Sequence, residues 1–169
     1  MGSFSERVNR LPFLGLGVST EYGAHAAAGS LDLDALQAQA SGLFRFLEVG
    51  VEVSKGLDAV AAAWAAEGRP ATYHFLDINL DEPEDFDSRW LDGVIEIATA
   101  FSPAWMCGDA GLWHFGPRDP AHMLLLPPIL TDDAATELAA GIVRLREATG
   151  YEVLPENPPG AVFVGDLHI

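Results

Sequence analysis

The residues able to do chemistry in this chain cluster where apolar, strand-like runs stop. Residues 44–51 run into Glu52, residues 71–73 into His74 and Asp77, residues 103–107 into Asp109, and residues 151–155 into Glu156 and Asn157. Carboxylate and amide oxygens are hard metal ligands, and a neutral imidazole suits many divalent ions. If those strand ends meet at one rim, they would hold a metal.

Each candidate has a plainer alternative. His74 could be a core histidine bonded to a main-chain carbonyl, and Asp109 a loop carboxylate or helix cap. A buried carboxylate needs a donor, a cation or water to offset lost hydration. Pro158 disfavours helical geometry at Asn157 and so sets the exit from the last run, where Glu156 and Asn157 could hold a hard cation or simply build a turn. Glu48 and Glu52 are four apart on one strand, hence on one face, and Glu52 is nearer the rim. Asp77 and Asn79 are paired likewise. Trp113 and His114 follow the fourth run and could line a substrate pocket or pack a loop. His25, His114, His122 and His168 read as exposed loop or terminal histidines. Cys107 reads as a small core residue, because nothing basic nearby would favour a thiolate.

The elements that must position these residues alternate. Strands are expected at 12–19, 44–52, 71–80, 103–113 and 151–157. Helices are expected after Ser30 as N-cap up to Gly42, over 57–67, over 86–100 with Phe86, Trp90, Val94 and Ile97 on one face, and from Thr131 as cap to Gly150. Residues 81–87 form an acidic loop broken by Pro83. A small-residue loop spans 23–29, and a long connection over 114–129 carries four prolines. Strict β-α alternation implies parallel strands joined by right-handed crossovers. The expected fold is α/β, a parallel (β/α) barrel of TIM type of which five strands and four helices are present, in one domain over residues 1–169. An eight-fold barrel takes about 250 residues. The chain is therefore expected to be the N-terminal portion of such a barrel, or else an open doubly wound sheet. Unpaired edges of a partial barrel would invite a partner chain or self-association.

Bulk properties narrow the function. The chain has 169 residues, 25 acids against 9 Lys and Arg, and a formal net charge of −16. That charge disfavours nucleic acid and anionic membranes, both of which are bound by clustered cations. One cysteine allows no internal disulfide, and no secretion signal or membrane-length apolar run is present, so a cytoplasmic protein is expected. Dinucleotide, P-loop, nucleophile-elbow, HExxH and paired CxxC patterns are absent from suitable contexts.

The blocks FLGLGVS, FRFLEVGVE, YHFLDINL, PAWMCGDAGLW, LLPPILTDDA with its following helix, and YEVLPENPP occur in this order along nearly the whole chain. Together they resemble the multinuclear non-haem iron-dependent oxidative enzymes, a family with barrels like that of xylose isomerase. The LLPP–TDDA block and the ENP tripeptide are the most specific pieces. The resemblance implies two or three iron ions, oxygen-dependent remodelling of cysteine residues in ribosomally made precursor peptides, and a peptide-recognition partner protein. It places His74 at the histidine of the family's L-H-G strand, Asp109 at or beside the acid of S-E-H, and Glu156 at the glutamate of E-N-P. Those three would be metal ligands, with Glu52, Asp77, Trp113 and Asn157 facing substrate. The chain departs from the pattern at Gly50 and Ala110, where the family carries histidines. The family's remaining ligands, on strands six to eight, would fall after Ile169.

Three functions are consistent with this reading. The first is an iron-dependent oxidative enzyme acting on a precursor peptide. The second is a barrel with a single divalent ion that isomerises small sugars or hydrolyses phosphoesters. The third is a non-catalytic barrel half that binds a peptide or a partner subunit.

Overall fold

A computed structural model describes residues 2–20, 32–40, 42–118 and 125–157, the side chain of Asp34 apart. Along them run α1 (Phe4–Val8), β1 (Gly17–Ser19), α2 (Leu33–Gln39), β2 (Phe46–Val51), α3 (Ala59–Ala66), β3 (Ala71–Phe75), a 3-10 turn (Pro83–Asp85), α4 (Ser88–Phe101), β4 (Met106–Asp109), α5 (Asp132–Thr149) and β5 (Val153–Glu156). The five strands form one parallel sheet in the order β1-β2-β3-β4-β5.

Sequential order has a physical consequence. Each crossover advances in the same direction, so same-handed connections stack their helices on one face. The core bears this out. Leu47, Val49, Val51, Tyr73, Phe75, Met106 and Val153 share one apolar cluster with Trp64 of α3, Val94, Ile97 and Phe101 of α4, and Leu145 of α5. A doubly wound sheet would reverse its order at a switch point; the described sheet does not, and α3, α4 and α5 pack on one face of it. Side chains alternate along a strand, so the opposite face takes Ser19, Glu48, Gly50, Thr72, His74, Cys107, Asp109 and Glu156. The register aligns Glu48 with Thr72, Gly50 with His74, His74 with Cys107, and Asp109 with Glu156. One face is a hydrocarbon core and the other carries the chemistry.

Several expectations need correction. The strands are shorter than the apolar runs, because those runs include loop residues that pack on the core: Ile78 and Leu80 lie past the end of β3 and are fully or almost fully buried. The described residues hold five α-helices where four were expected. The additional one, α1, is closed by a reciprocal capping box between Ser3 and Glu6 and tethered by Arg7 Nε to Glu152 at 3.2 Å. The cap of α2 is Asp32, not Ser30, and α4 starts at Ser88 behind the cap Asp87. Thr131 caps α5 and Gly150 ends it with φ 79°, as expected. Phe86, Trp90, Val94 and Ile97 are all buried, also as expected. Ser30, the 23–29 loop, His25, His122, His168 and Pro158 lie outside the described residues. Among the described residues no helix is long and apolar enough to cross a membrane.

Candidate metal centre

The centre begins with β3. Its five residues are buried on both faces, which places the imidazole of His74, 3% exposed, in the middle of the sheet. Neither Nδ1 nor Nε2 of His74 has a hydrogen-bond partner. A buried polar group left unsatisfied costs about 1–3 kcal/mol, and a cation held between His74 and its acidic neighbours would offset that cost.

What faces it is acidic. His74, Asp109 and Glu156 each offer a ligand atom, all within 4.8 Å of one another. His74 Nε2 lies 3.6 Å from Asp109 Oδ2, an ion pair when the imidazole is protonated. Nitrogen and oxygen ligands held about 2.1 Å from a common ion at a near-tetrahedral angle are about 3.4 Å apart. The separation also suits two ligands of one cation. The donor set fits a divalent transition ion such as iron.

The electrostatics agree. Burial by itself lowers the pKa of His74, but Asp109, Glu48 and Glu156 overcome that and raise it above the usual histidine value. Glu156 is pushed up as well, first by partial burial and then by Glu48 and Asp109, with His74 opposing. Three carboxylates around one imidazole leave excess negative charge, which a divalent cation would neutralise. Comparison with protein-family models and with curated proteins found no match to this chain.

The three ligands expected from the sequence therefore converge. The expected substrate residues do not all join them. Asp77 is buried, with Oδ1 accepting from Trp90 Nε1 at 2.9 Å and Oδ2 from the Val53 amide at 2.8 Å. It holds α4 against the exit of β2. Glu52 lies just past the end of β2 and pairs with Lys55. Trp113 is buried, and its amide donates to Asn79 Oδ1 at 2.6 Å. Asn157 is exposed, directly after β5 and beside Glu156.

His114 departs from the expected exposed loop histidine. It is 4% exposed, with Nε2 2.9 Å from Asp85 Oδ2 and Nδ1 2.7 Å from Gly116 O. Asp85 Oδ2 also accepts from the Asn79 amide at 2.7 Å, and Arg118 Nη2 donates to Asp85 O at 2.6 Å. This network fastens the loop after β3 to the loop after β4. It is structural and sits apart from the His74 ligand set.

Sequence reasoning ranked Glu48 behind Glu52 and read Cys107 as a core residue. Glu48, Cys107 and Glu156 offer a second set of ligand atoms within 4.8 Å of one another. The signal for Glu48 was its place as the one charge within Phe46–Val51, out of phase with Leu47, Val49 and Val51. Glu52 looked better only on the assumption that the strand continued to it.

Proposed function

We propose that this chain forms the metal-binding part of a (β/α)-barrel oxidative enzyme with a non-haem iron centre, acting on cysteine residues of a ribosomally made precursor peptide. The observation carrying the metal centre is His74, whose buried nitrogens make no hydrogen bond within 3.5 Å and which groups with Asp109 and Glu156. The packing of α3, α4 and α5 on one face supports the barrel, since the opposite face becomes the interior when strands curl closed. Iron and the peptide substrate enter from the family resemblance.

Iron bound there would supply oxidative chemistry with dioxygen and an affinity for a peptide thiolate. The chain's own residues have distinct tasks. His74 would give a neutral imidazole nitrogen, and Asp109 and Glu156 would give oxygens and balance the ion's charge. The buried position of His74 and Asp109 excludes water from the inner side, and exposed Glu156 marks the open side from which a peptide arrives. Asn157 would meet the peptide at that rim. The edge strands β1 and β5 are where a recognition partner or a second copy could add.

A simpler ion chemistry has one observation in its favour. With Gly50 and Ala110 in place of imidazoles, the donors are rich in oxygen, which also suits Mn²⁺ or Mg²⁺ and isomerase or hydrolase chemistry.

Purification of the full chain without oxygen, followed by elemental analysis and Fe(II) titration, decides between them. Bound iron, weakened by more than about 100-fold in His74→Ala, is the expected result. Absence of any transition metal together with no uptake of added Fe(II) would overturn the iron centre, and selective uptake of Mn²⁺ would favour the second reading.

A further inference from the structure

Glu48 is the one charged residue of β2, and alternation puts it on the same sheet face as His74. The register sets it beside Thr72, so His74 stands one step further along that face on the neighbouring strand. A Glu48 oxygen lies within 4.8 Å of a ligand atom of Glu156, the residue that also groups with His74 and Asp109. The acids on this face are poorly balanced. Among the described residues no Lys, Arg or His forms an ion pair with half-buried Glu48. Its Oε2 has the Cys107 thiol at 3.5 Å, and a thiol is a weak donor.

Acids by themselves would not make a site. The independent observation is His74, which is 3% exposed, makes no hydrogen bond within 3.5 Å from either nitrogen, and stands among these carboxylates. Glu48 reaches it electrostatically as well. Burial lowers the His74 pKa, while Asp109 and then Glu48 raise it.

We propose that Glu48 is a ligand of the His74 centre, the fourth beside His74, Asp109 and Glu156. Gly50 is the register partner of His74 and has no side chain to offer. Glu48, two residues back on the same face, is the donor that β2 can supply. Two methylenes with staggered rotamers let its carboxylate swing from the thiol to an ion. Strands β2, β3, β4 and β5 would then give one ligand each, three oxygens and one nitrogen. This inference rests on the metal-centre reading and adds a residue to it.

The test is Co(II) titration of the full chain without oxygen, followed by visible absorption, which reports the ligands of the bound ion. The wild type should take up cobalt tightly. Glu48→Ala should weaken uptake about tenfold or more and change the visible bands. Glu48→Gln keeps the side chain's size and should weaken uptake in the same sense, should the alanine variant fold poorly. Weaker uptake with an unchanged spectrum would overturn the ligand and leave Glu48 a distant charge. Unchanged uptake would overturn it outright. In either case, loss of uptake in His74→Ala would leave the His74 centre standing. No uptake by the wild type would overturn both.

Discussion

Asp109 and Glu156 are direct register partners on neighbouring parallel strands, two carboxylates side by side at the end of the sheet. Like charges in that relationship repel, and the repulsion is relieved by a proton or a cation. Unrelieved, that repulsion weakens the fold.

Glu156→Gln separates these effects. In chelator it should melt at a slightly higher temperature than wild type near neutral pH, since it removes one member of the repelling set. With Fe(II) or Co(II) the order should reverse, because the variant loses a ligand and gains less from binding. Thermal melts with and without metal measure this. A variant less stable in chelator, or equally stabilised by metal, would count against the site.

Asp77 supplies a pH dependence away from the centre. Burial pushes its carboxyl above the usual aspartate range, although the donors Trp90 and Val53 and the charge of Arg118 act the other way. A raised folded-state pKa means the native protein holds the proton more tightly than the unfolded chain. The resulting stabilisation is present below the ordinary aspartate value and is lost as pH rises through the raised one. Asp77→Asn should be less stable throughout, by about 1–3 kcal/mol for the lost acceptor. Its deficit should shrink as pH rises from about 4 to 7, an expectation for urea unfolding measured across that range.

Gly141 lies within α5, where a side chain would normally help. A Cβ there would stand 1.8 Å from Leu80 O and 3.1 Å from the Phe86 ring. Helix propensity favours alanine by up to about 1 kcal/mol, but the carbonyl belongs to main chain in the loop after β3 and has little room to yield. Gly141→Ala should therefore destabilise by about 1–3 kcal/mol, read from a denaturant midpoint.

Ser102 ends α4 in the left-handed region at φ 48°, the one such non-glycine among the described residues. That conformation costs an L-residue about 1–2 kcal/mol. The side chain is exposed, so Ser102→Gly should stabilise the fold by about 1 kcal/mol, visible as a raised melting temperature with metal binding unchanged.

Much of this architecture was legible in residue order. Alternating strand and helix patterns, Thr131 and Gly150 around α5, and the buried stripe of α4 all follow from local rules of capping and periodicity. His74, Asp109 and Glu156 were recognisable because a polar group closing an apolar run adds nothing to the hydrocarbon packing of that run. Where strands stop is a different matter. Apolar residues beyond a strand, such as Ile78 and Leu80, look like its continuation when they are loop residues packed on the core, and that error promoted Glu52 over Glu48. Ser3 and Glu6 carried a readable capping signature, but α1 buries nothing and gave no hydrophobic period.

Local chemistry along the chain thus determined the element types, their order and three of the polar groups that meet. Only the tertiary structure decided which face each side chain takes and which residues stand abreast. Strand register is a long-range property: shifting one strand by a single residue would turn His74 into the hydrocarbon core and Tyr73 towards the acids. The pairing of Gly50, His74 and Cys107 across β2, β3 and β4, set by how the helices pack on the other face, is what brings one imidazole, one thiol and three carboxylates together.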